Sequence, residues 1–183
     1  MSTSAALLQA LTQAAVDTTG AARGWMLHLR GGELVVVSTA GTAAGPALGV
    51  TVPADAGSAG FVLNAGQPLA IAPSADDPLA TDGVAATLGR SPTSLLCVPC
   101  GTEDAVLGVL ELIDKSGGRF TIDDVEMATL LGGIAGAALA EGDPAPPPPT
   151  PAELEGGLTA LASDDPVRYA RVAMLVAALL ERG

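Results

Sequence analysis

The two cysteines, Cys97 and Cys100, are the residues whose spacing most readily suggests chemistry, because they form the string CVPC. This spacing occurs in thiol oxidoreductases, and in many zinc sites it supplies two of the four ligands. Along an extended strand, however, three residues span about 10 Å, whereas the Cα atoms of a disulfide lie within about 7 Å. The odd spacing also turns the side chains to opposite faces of a sheet. We therefore expect two core cysteines, with redox or metal use as the alternative.

His28 is the single histidine of the chain. A structural zinc site takes four ligands, and one histidine with two cysteines is too few, so we predict no metal site. A Ser-His-Asp catalytic set is implausible for the same reason. Strand alternation places His28 on one face with Met26 and Arg30. If that face lines a pocket, His28 binds a ligand; otherwise it is a partly exposed or hydrogen-bonded structural residue.

The polar segment of residues 73–92 carries the other candidate ligand-binding residues, Asp76, Asp77 and Arg90. The aspartates lack the alternation and the glutamate of a calcium loop, which favours a solvated turn. Arg90 is placed to pair either with these aspartates or with an anionic ligand. A connection of this length in a compact domain is usually functional or contains short helices.

The elements that must position these residues follow from hydrophobic spacing and turn signals. A helix is predicted near residues 3–18, and two strands flank Gly31-Gly32 as a hairpin. A short helix ends at Gly66, two further strands follow Thr93, and a long helix closes the domain. Thr121 and Asp124 form a capping-box pattern at the start of that last helix.

The long closing helix has a face of small residues, whose glycines each cost about 0.5–1 kcal/mol relative to alanine. Close approach of another helix would offset that cost, so we predict a helix–helix interface here. Its members are Ala128, Gly132, Ala135, Gly136 and Leu139.

The composition of the chain indicates which classes of partner and which cellular location to expect. The chain has 183 residues, is 49% hydrophobic and carries a formal charge of -12. Such a charge repels phosphate backbones and anionic lipid, so neither nucleic acid nor a membrane is an expected partner. We recognise no signal peptide and no apolar run near the roughly 20 residues that span a bilayer. A cytoplasmic protein is the expectation.

A proline-rich string, DPAPPPPTP, separates two regions. We predict a globular domain over residues 1–142, an extended linker over residues 143–151 and a helical hairpin over residues 152–183. The hairpin is too short and too apolar to stand alone in water, so it must pack on the domain or on another subunit.

Several strings, in order, resemble the GAF domain. The run from Gly57 to Leu69 resembles that family's glycine-bounded helix and following strand. The strings SLLCVP and VLGVLELIDK resemble its fourth and fifth strands. The resemblance implies an α+β fold related to GAF and PAS domains, with an antiparallel sheet of five or six strands. Helices would pack on one face of that sheet, with a ligand pocket on the other and the C-terminal hairpin added.

Departures from the family's motifs narrow the function that the resemblance implies. Lys115 and Asp124 match part of the cyclic-nucleotide signature and would form a structural ion pair, but its Asn and Glu are lost. The relatives that reduce free methionine sulfoxide use cysteines near the short helix, where this chain has Gly57-Ser-Ala-Gly60. Bilin attachment usually needs a cysteine in the loop region, which is absent here.

The sequence therefore favours a non-enzymatic regulatory or sensory domain that binds a small molecule and acts through protein–protein contacts. The alternatives are a scaffold or dimerisation module with a collapsed pocket, and a thiol enzyme. The resemblance implies a homodimer formed through terminal helices, and a regulated partner protein is the second expected partner. His28, Asp76, Asp77, Arg90 and Cys97 are the expected ligand-binding residues, for a ligand and cofactor that remain unidentified.

Overall fold

In the part of the chain that the structure describes, six strands form one antiparallel sheet, in the spatial order β3-β2-β1-β6-β5-β4. The computed structural model describes residues 3–42, 47–74, 77–142 and 151–180. The strands are β1 Ala21–Arg30, β2 Glu33–Gly41, β3 Thr51–Pro53, β4 Leu69–Ile71, β5 Leu95–Gly101 and β6 Val106–Lys115. The expected α+β class with an antiparallel sheet is confirmed.

Within the described residues, five helices accompany the sheet, and two more lie in the C-terminal region. They are α1 Thr3–Thr19, α2 Gly57–Ala65, α3 Pro78–Thr81, α4 Val84–Thr87, α5 Ile122–Gly142, α6 Pro151–Asp164 and α7 Pro166–Leu180. The long polar connection thus contains two single-turn helices, α3 and α4, as its length suggested. None of the described helices is long and apolar enough to cross a membrane.

Glycines close the turns that the sequence marked. Gly31 and Gly32 have φ values of 58° and 88°, as the two-residue hairpin between β1 and β2 requires. Gly66 ends α2 with φ 65°, and its N–H donates to the carbonyl of Val62. At the other end of α2, Ala56 occupies the N-cap without a side-chain hydrogen bond.

The sheet has a hydrophobic core on each face. One face packs against α1 and α5 through residues such as Met26, Leu110 and Leu139. The other face packs against α2 and α4 through residues such as Leu27, Val62 and Val84. Because successive strand residues alternate between the faces, each buried position of β1, β5 and β6 belongs to a definite core. Helices therefore cover part of the second face as well.

The small-residue face of α5 packs inside the chain, which corrects its interpretation as an interface with another helix. A Cβ added at Gly132 would lie 2.8 Å from the carbonyl oxygen of Pro99, and one at Gly136 would overlap the carbonyl of Gly101. Ala128, Ala135 and Leu139 are fully or almost fully buried in the same core. These glycines permit α5 to approach the backbone of β5, so the face is unavailable to a partner.

The chain divides into two compact units, Met1–Asp143 and Pro144–Gly183. In the second unit, α6 and α7 are joined at Asp165, whose Oδ1 accepts the backbone N–H of Arg168 at 2.9 Å. The side chains of Leu154 and Met174 are 50% and 74% exposed, so this hairpin displays apolar surface. Residues 143–150 of the predicted linker lie outside the described residues, whereas Pro151, the last residue of that linker, is the first residue of α6.

Candidate functional site

A glutamate lies in the middle of the sheet on the face that α2 and α4 cover. Glu111, in β6, pairs directly with Trp25 of β1 on one side and with Cys97 of β5 on the other. Directly paired residues project from the same face of a sheet. Trp25 and Cys97 belong to the second core, and Glu111 itself is only 1% exposed. The three side chains therefore form one buried row across three strands.

One oxygen of this carboxyl is satisfied and the other is not. Glu111 Oε2 accepts the hydroxyl of Ser58 at 3.3 Å and the thiol of Cys97 at 3.5 Å. Glu111 Oε1 is buried and has no hydrogen-bond partner within the described part of the chain. A buried polar atom without a partner is uncommon in folded proteins and costs free energy, so it requires a specific explanation.

The first turn of α2 and the turn between α3 and α4 cover the carboxyl. Ser58 is buried in that first turn. A Cβ added at Gly83 would lie 3.9 Å from Glu111 Oε2, and no other atom outside the adjacent residues would lie within 4 Å of it. Gly57 has φ +61°, and a Cβ there would lie 3.1 Å from the backbone of Asp82. Two glycine backbones therefore bring both segments close above Glu111.

Burial changes the acid–base chemistry of the site. Removal from water raises the pKa of Glu111 from 4.5 to about 7, and hydrogen bonds from Cys97 and Ser58 only partly oppose this rise. Burial, followed by the nearby charge of Glu111, also raises the pKa of the Cys97 thiol well above its usual value. The carboxyl thus exchanges its proton near neutral pH, while the thiol remains protonated.

The cysteines occupy opposite faces of β5, as their odd spacing predicted. Cys97 belongs to the core beneath α2, whereas Cys100 belongs to the core beneath α5, with its Sγ 3.5 Å from Met26 Sδ. Both cysteines are free and buried. Burial raises the pKa of Cys100 to about 12. Among the described residues no three potential ligands form a metal-binding group.

His28 projects from the face of the sheet opposite to Glu111. It pairs with Gly108, where an added Cβ would meet Leu139 of α5, so its side chain points toward the α5 side. His28 is 4% exposed, and its Nδ1 accepts Arg30 Nε at 3.2 Å. Of the candidate ligand-binding residues, His28 therefore lies on the opposite face of the sheet from Cys97, which contacts Glu111.

The remaining candidates lie in or beside the segment that contains α3 and α4, which we call the roof segment (residues 73–92). Asp77 caps α3, its Oδ1 accepting the backbone N–H of Leu79 at 3.0 Å. Arg90 lines an open cleft of about 490 Å³ together with Ser74 and Thr93. Asp76 lies outside the described residues.

Lys115 and Asp124 form the ion pair that the family signature suggested, with Lys115 Nζ 2.8 Å from Asp124 Oδ2. The same ammonium donates to the backbone carbonyl of Thr19 at 2.7 Å. Burial alone would raise the pKa of Asp124, but hydrogen bonds from Lys115 and Thr121 lower it overall. This pair joins the ends of α1 and β6 to the start of α5.

Sequence reasoning missed Glu111, Ser58 and Trp25 as site residues. A usable signal was present, because Glu111 is an acidic residue inside the apolar run VLGVLELI. Charged side chains are seldom fully buried, so a glutamate at a core position of a strand deserves a functional hypothesis. Ser58 and Trp25 carry no such local signal, since only the sheet register and the placement of α2 bring them to Glu111.

The sequence matches the family profile described as the GAF domain over residues 2–140. Solved structures agree in fold. The second GAF domain of DevS from Mycobacterium smegmatis has a TM-score of 0.61 at 22% identity, covering 76% of this chain and 94% of that one. Residues 122 to 287 of a methyl-accepting chemotaxis protein give 0.63 at 20% identity, with coverages of 75% and 89%.

Enzymes are among the similar structures. The type II free methionine-R-sulfoxide reductase from Thermoplasma acidophilum has a TM-score of 0.60 at 15% identity, and the match covers 75% of this chain and 93% of that one. At such identities the likeness shows a shared fold, and the fold alone does not assign an activity.

Proposed function

The chain belongs to the GAF domain family, and on that basis we propose that it is a non-enzymatic regulatory module that binds a small molecule at the Glu111 face of the sheet. The observation that carries this proposal is the buried carboxyl with one unpartnered oxygen. A ligand placed beneath the roof segment would satisfy that oxygen. Binding would then reposition the roof segment and alter contacts with a partner protein, in a cytoplasmic setting.

The cysteine chemistry supports a non-enzymatic role. A reactive thiol needs exposure and a lowered pKa. Cys97 and Cys100 are both buried, and the pKa of each is raised. Gly57-Ser-Ala-Gly60, where the reductase relatives would place a cysteine, contains none.

Native mass spectrometry of the full chain purified from its own host tests this proposal. We expect a retained small molecule in the wild-type protein and its loss in Gly83→Ala, which adds a methyl group above Glu111 Oε2. The backbone of Gly83, with φ -104° and ψ -173°, accepts an alanine. Gly133→Ala is the matched control, because nothing lies within 4 Å of an added Cβ there. Equal retention in both variants, or none in the wild-type protein, would contradict the proposal.

A second candidate function is dimerisation, favoured by an apolar row on the outer face of α5. Met127, Leu130 and Ile134 are 41%, 62% and 46% exposed. Their three-then-four spacing is that of a seam between packed helices, and a second copy would offer the same row for a two-fold contact. Leu130→Glu should convert a dimer to a monomer in analytical ultracentrifugation, with exposed Thr129→Glu as control. A wild-type monomer, or an unchanged Leu130→Glu dimer, would reject this interface.

A further inference from the structure

Glu111 and Trp25 together have the features of a site for an organic cation. They are paired in register on β6 and β1, and each is 1% exposed. An aromatic ring attracts a cation over its face, and a carboxylate neutralises one. Resting on the proposed small-molecule function, we propose that the ligand presents an ammonium group to Glu111 and Trp25 and an apolar body to the surrounding core.

The hydrogen bonds at Glu111 favour a donor as the missing partner. Its Oε2 accepts both nearby donors, Ser58 and Cys97. Its Oε1 has no partner in the described structure, and an ionised carboxylate can only accept hydrogen bonds. An ammonium supplies up to three donors and a positive charge. A carboxylate or phosphate ligand would instead meet like charge.

The side chains around Glu111 and Trp25 indicate the chemistry of the rest of the proposed ligand. The side chains around the row are apolar, and they come from strands on both sides: Leu27, Leu95, Val109 and Ile113. No group of three or more potential metal ligands exists among the described residues. An alkylammonium therefore suits the site better than a metal ion does.

The charged and titratable groups on the covering elements agree with a cation. Cys97 faces Glu111 from β5 and stays protonated, because its pKa is raised. Exposed Asp55 precedes α2, and exposed Asp82 follows α3. Arg90, after α4, is the cation of the roof segment and lines the separate 490 Å³ cleft. Binding of an ammonium replaces the proton on Glu111, so it must weaken as the carboxyl becomes protonated.

Trp25 provides a direct measurement, since it is the only tryptophan of the chain. We would titrate the full-length protein with n-butylammonium chloride and follow tryptophan fluorescence at about pH 8, where Glu111 is ionised. n-Butanol and sodium butyrate, at equal ionic strength, are the matched neutral and anionic probes. We expect saturable binding of the ammonium alone, weakening about tenfold per pH unit below about pH 7.

Two variants should reduce ammonium affinity at least about tenfold, which is the usual scale of one charge-assisted contact. Glu111→Gln removes the charge at nearly constant shape, and Gly83→Ala leaves the charge but adds a methyl group above it. Glu126→Gln, on the exposed surface of α5, controls for general attraction to an acidic protein. Its affinity should equal that of the wild-type protein.

The outcomes of these experiments distinguish failure of the ammonium proposal from failure of the proposed small-molecule function. Saturable binding of butanol or butyrate at Trp25 would overturn the ammonium proposal while supporting a small-molecule site. Unchanged affinity in Glu111→Gln would also overturn it. A molecule retained in native mass spectrometry without any ammonium response would leave the function standing and reject the ligand class. No probe response together with no retained molecule would reject both.

Discussion

Ser58 Oγ lies 3.3 Å from Glu111 Oε2, so the first turn of α2 is joined to the middle of β6 by a buried carboxyl. The hydroxyl is thereby used across the core and not as a helix cap. The ligand that we propose would compete with Ser58 for Glu111 and would thereby act on the position of α2. Under the proposed function, this contact would couple ligand binding at the sheet face to the position of α2.

Glu111→Gln should remove a pH-dependent loss of stability. Because the folded state raises the pKa of Glu111 from 4.5 to about 7, its contribution is complete below pH 4.5 and is lost as the pH rises toward 7. At about 1.4 kcal/mol per pKa unit, the full loss is about 3 kcal/mol. Urea unfolding at about pH 5 and about pH 8.5 should show Glu111→Gln nearly neutral at the first and stabilising at the second. An equal effect at both pH values would contradict burial of an ionisable carboxyl.

Glycine-to-alanine substitutions in α5 should have opposite signs on its two faces. Gly136→Ala would overlap the carbonyl of Gly101, so we expect destabilisation of about 1–3 kcal/mol, as for other overpacked sites. Gly133→Ala meets nothing within 4 Å and should stabilise by about 0.5–1 kcal/mol through helix propensity. Thermal unfolding of the two variants checks this difference. Two variants of equal stability would show that α5 does not contact β5 as described.

Asp124→Asn should destabilise the chain by about 1–2 kcal/mol, since it weakens both a helix cap and a partly buried ion pair. Asp124 Oδ2 accepts the backbone N–H of Thr121 at 2.6 Å and lies 2.8 Å from Lys115 Nζ. Asp123→Asn, in the same helical turn but exposed, is the control and should cost only a few tenths of a kcal/mol. If chemical denaturation shows that Asp124→Asn and Asp123→Asn lower the free energy of unfolding by the same amount, the Lys115–Asp124 ion pair does not stabilise the chain as proposed.

The two thiols should react at different rates with a small alkylating reagent under native conditions. Both are buried, so modification requires local opening. Cys97 lies beneath the short helices α2 and α4, whereas Cys100 lies beneath the 21-residue helix α5. Shorter elements open at lower free energy, so Cys97 should be alkylated first, as followed by peptide mass spectrometry. Faster alkylation of Cys100 would contradict this prediction, because it would show that α5 opens more readily than α2 and α4.

Local signals in the sequence were sufficient for much of the fold. Gly31-Gly32 specifies its hairpin, and Thr121 with Asp124 specifies the start of α5, because each depends on residues close together in the chain. The opposite faces of Cys97 and Cys100 followed from strand periodicity in the same way.

The candidate site depended on register, which the sequence alone does not provide. Trp25, Ser58 and Glu111 meet only after β1 pairs with β6 and α2 covers the sheet. The small-residue face of α5 illustrates the same limit. The glycines correctly indicated a close approach, but spacing does not distinguish a neighbouring helix from the backbone of β5.

A carbon-13 NMR titration of the Glu111 side-chain carboxyl, recorded with and without n-butylammonium, tests the central claim most directly. We predict an apparent pKa of about 7 in the free protein and a lower value when the ammonium is bound, because the cation favours the ionised carboxyl. An ordinary pKa near 4.5 in the free protein, unchanged by the ammonium, would contradict the claim that Glu111 is a buried carboxyl that binds a cationic ligand.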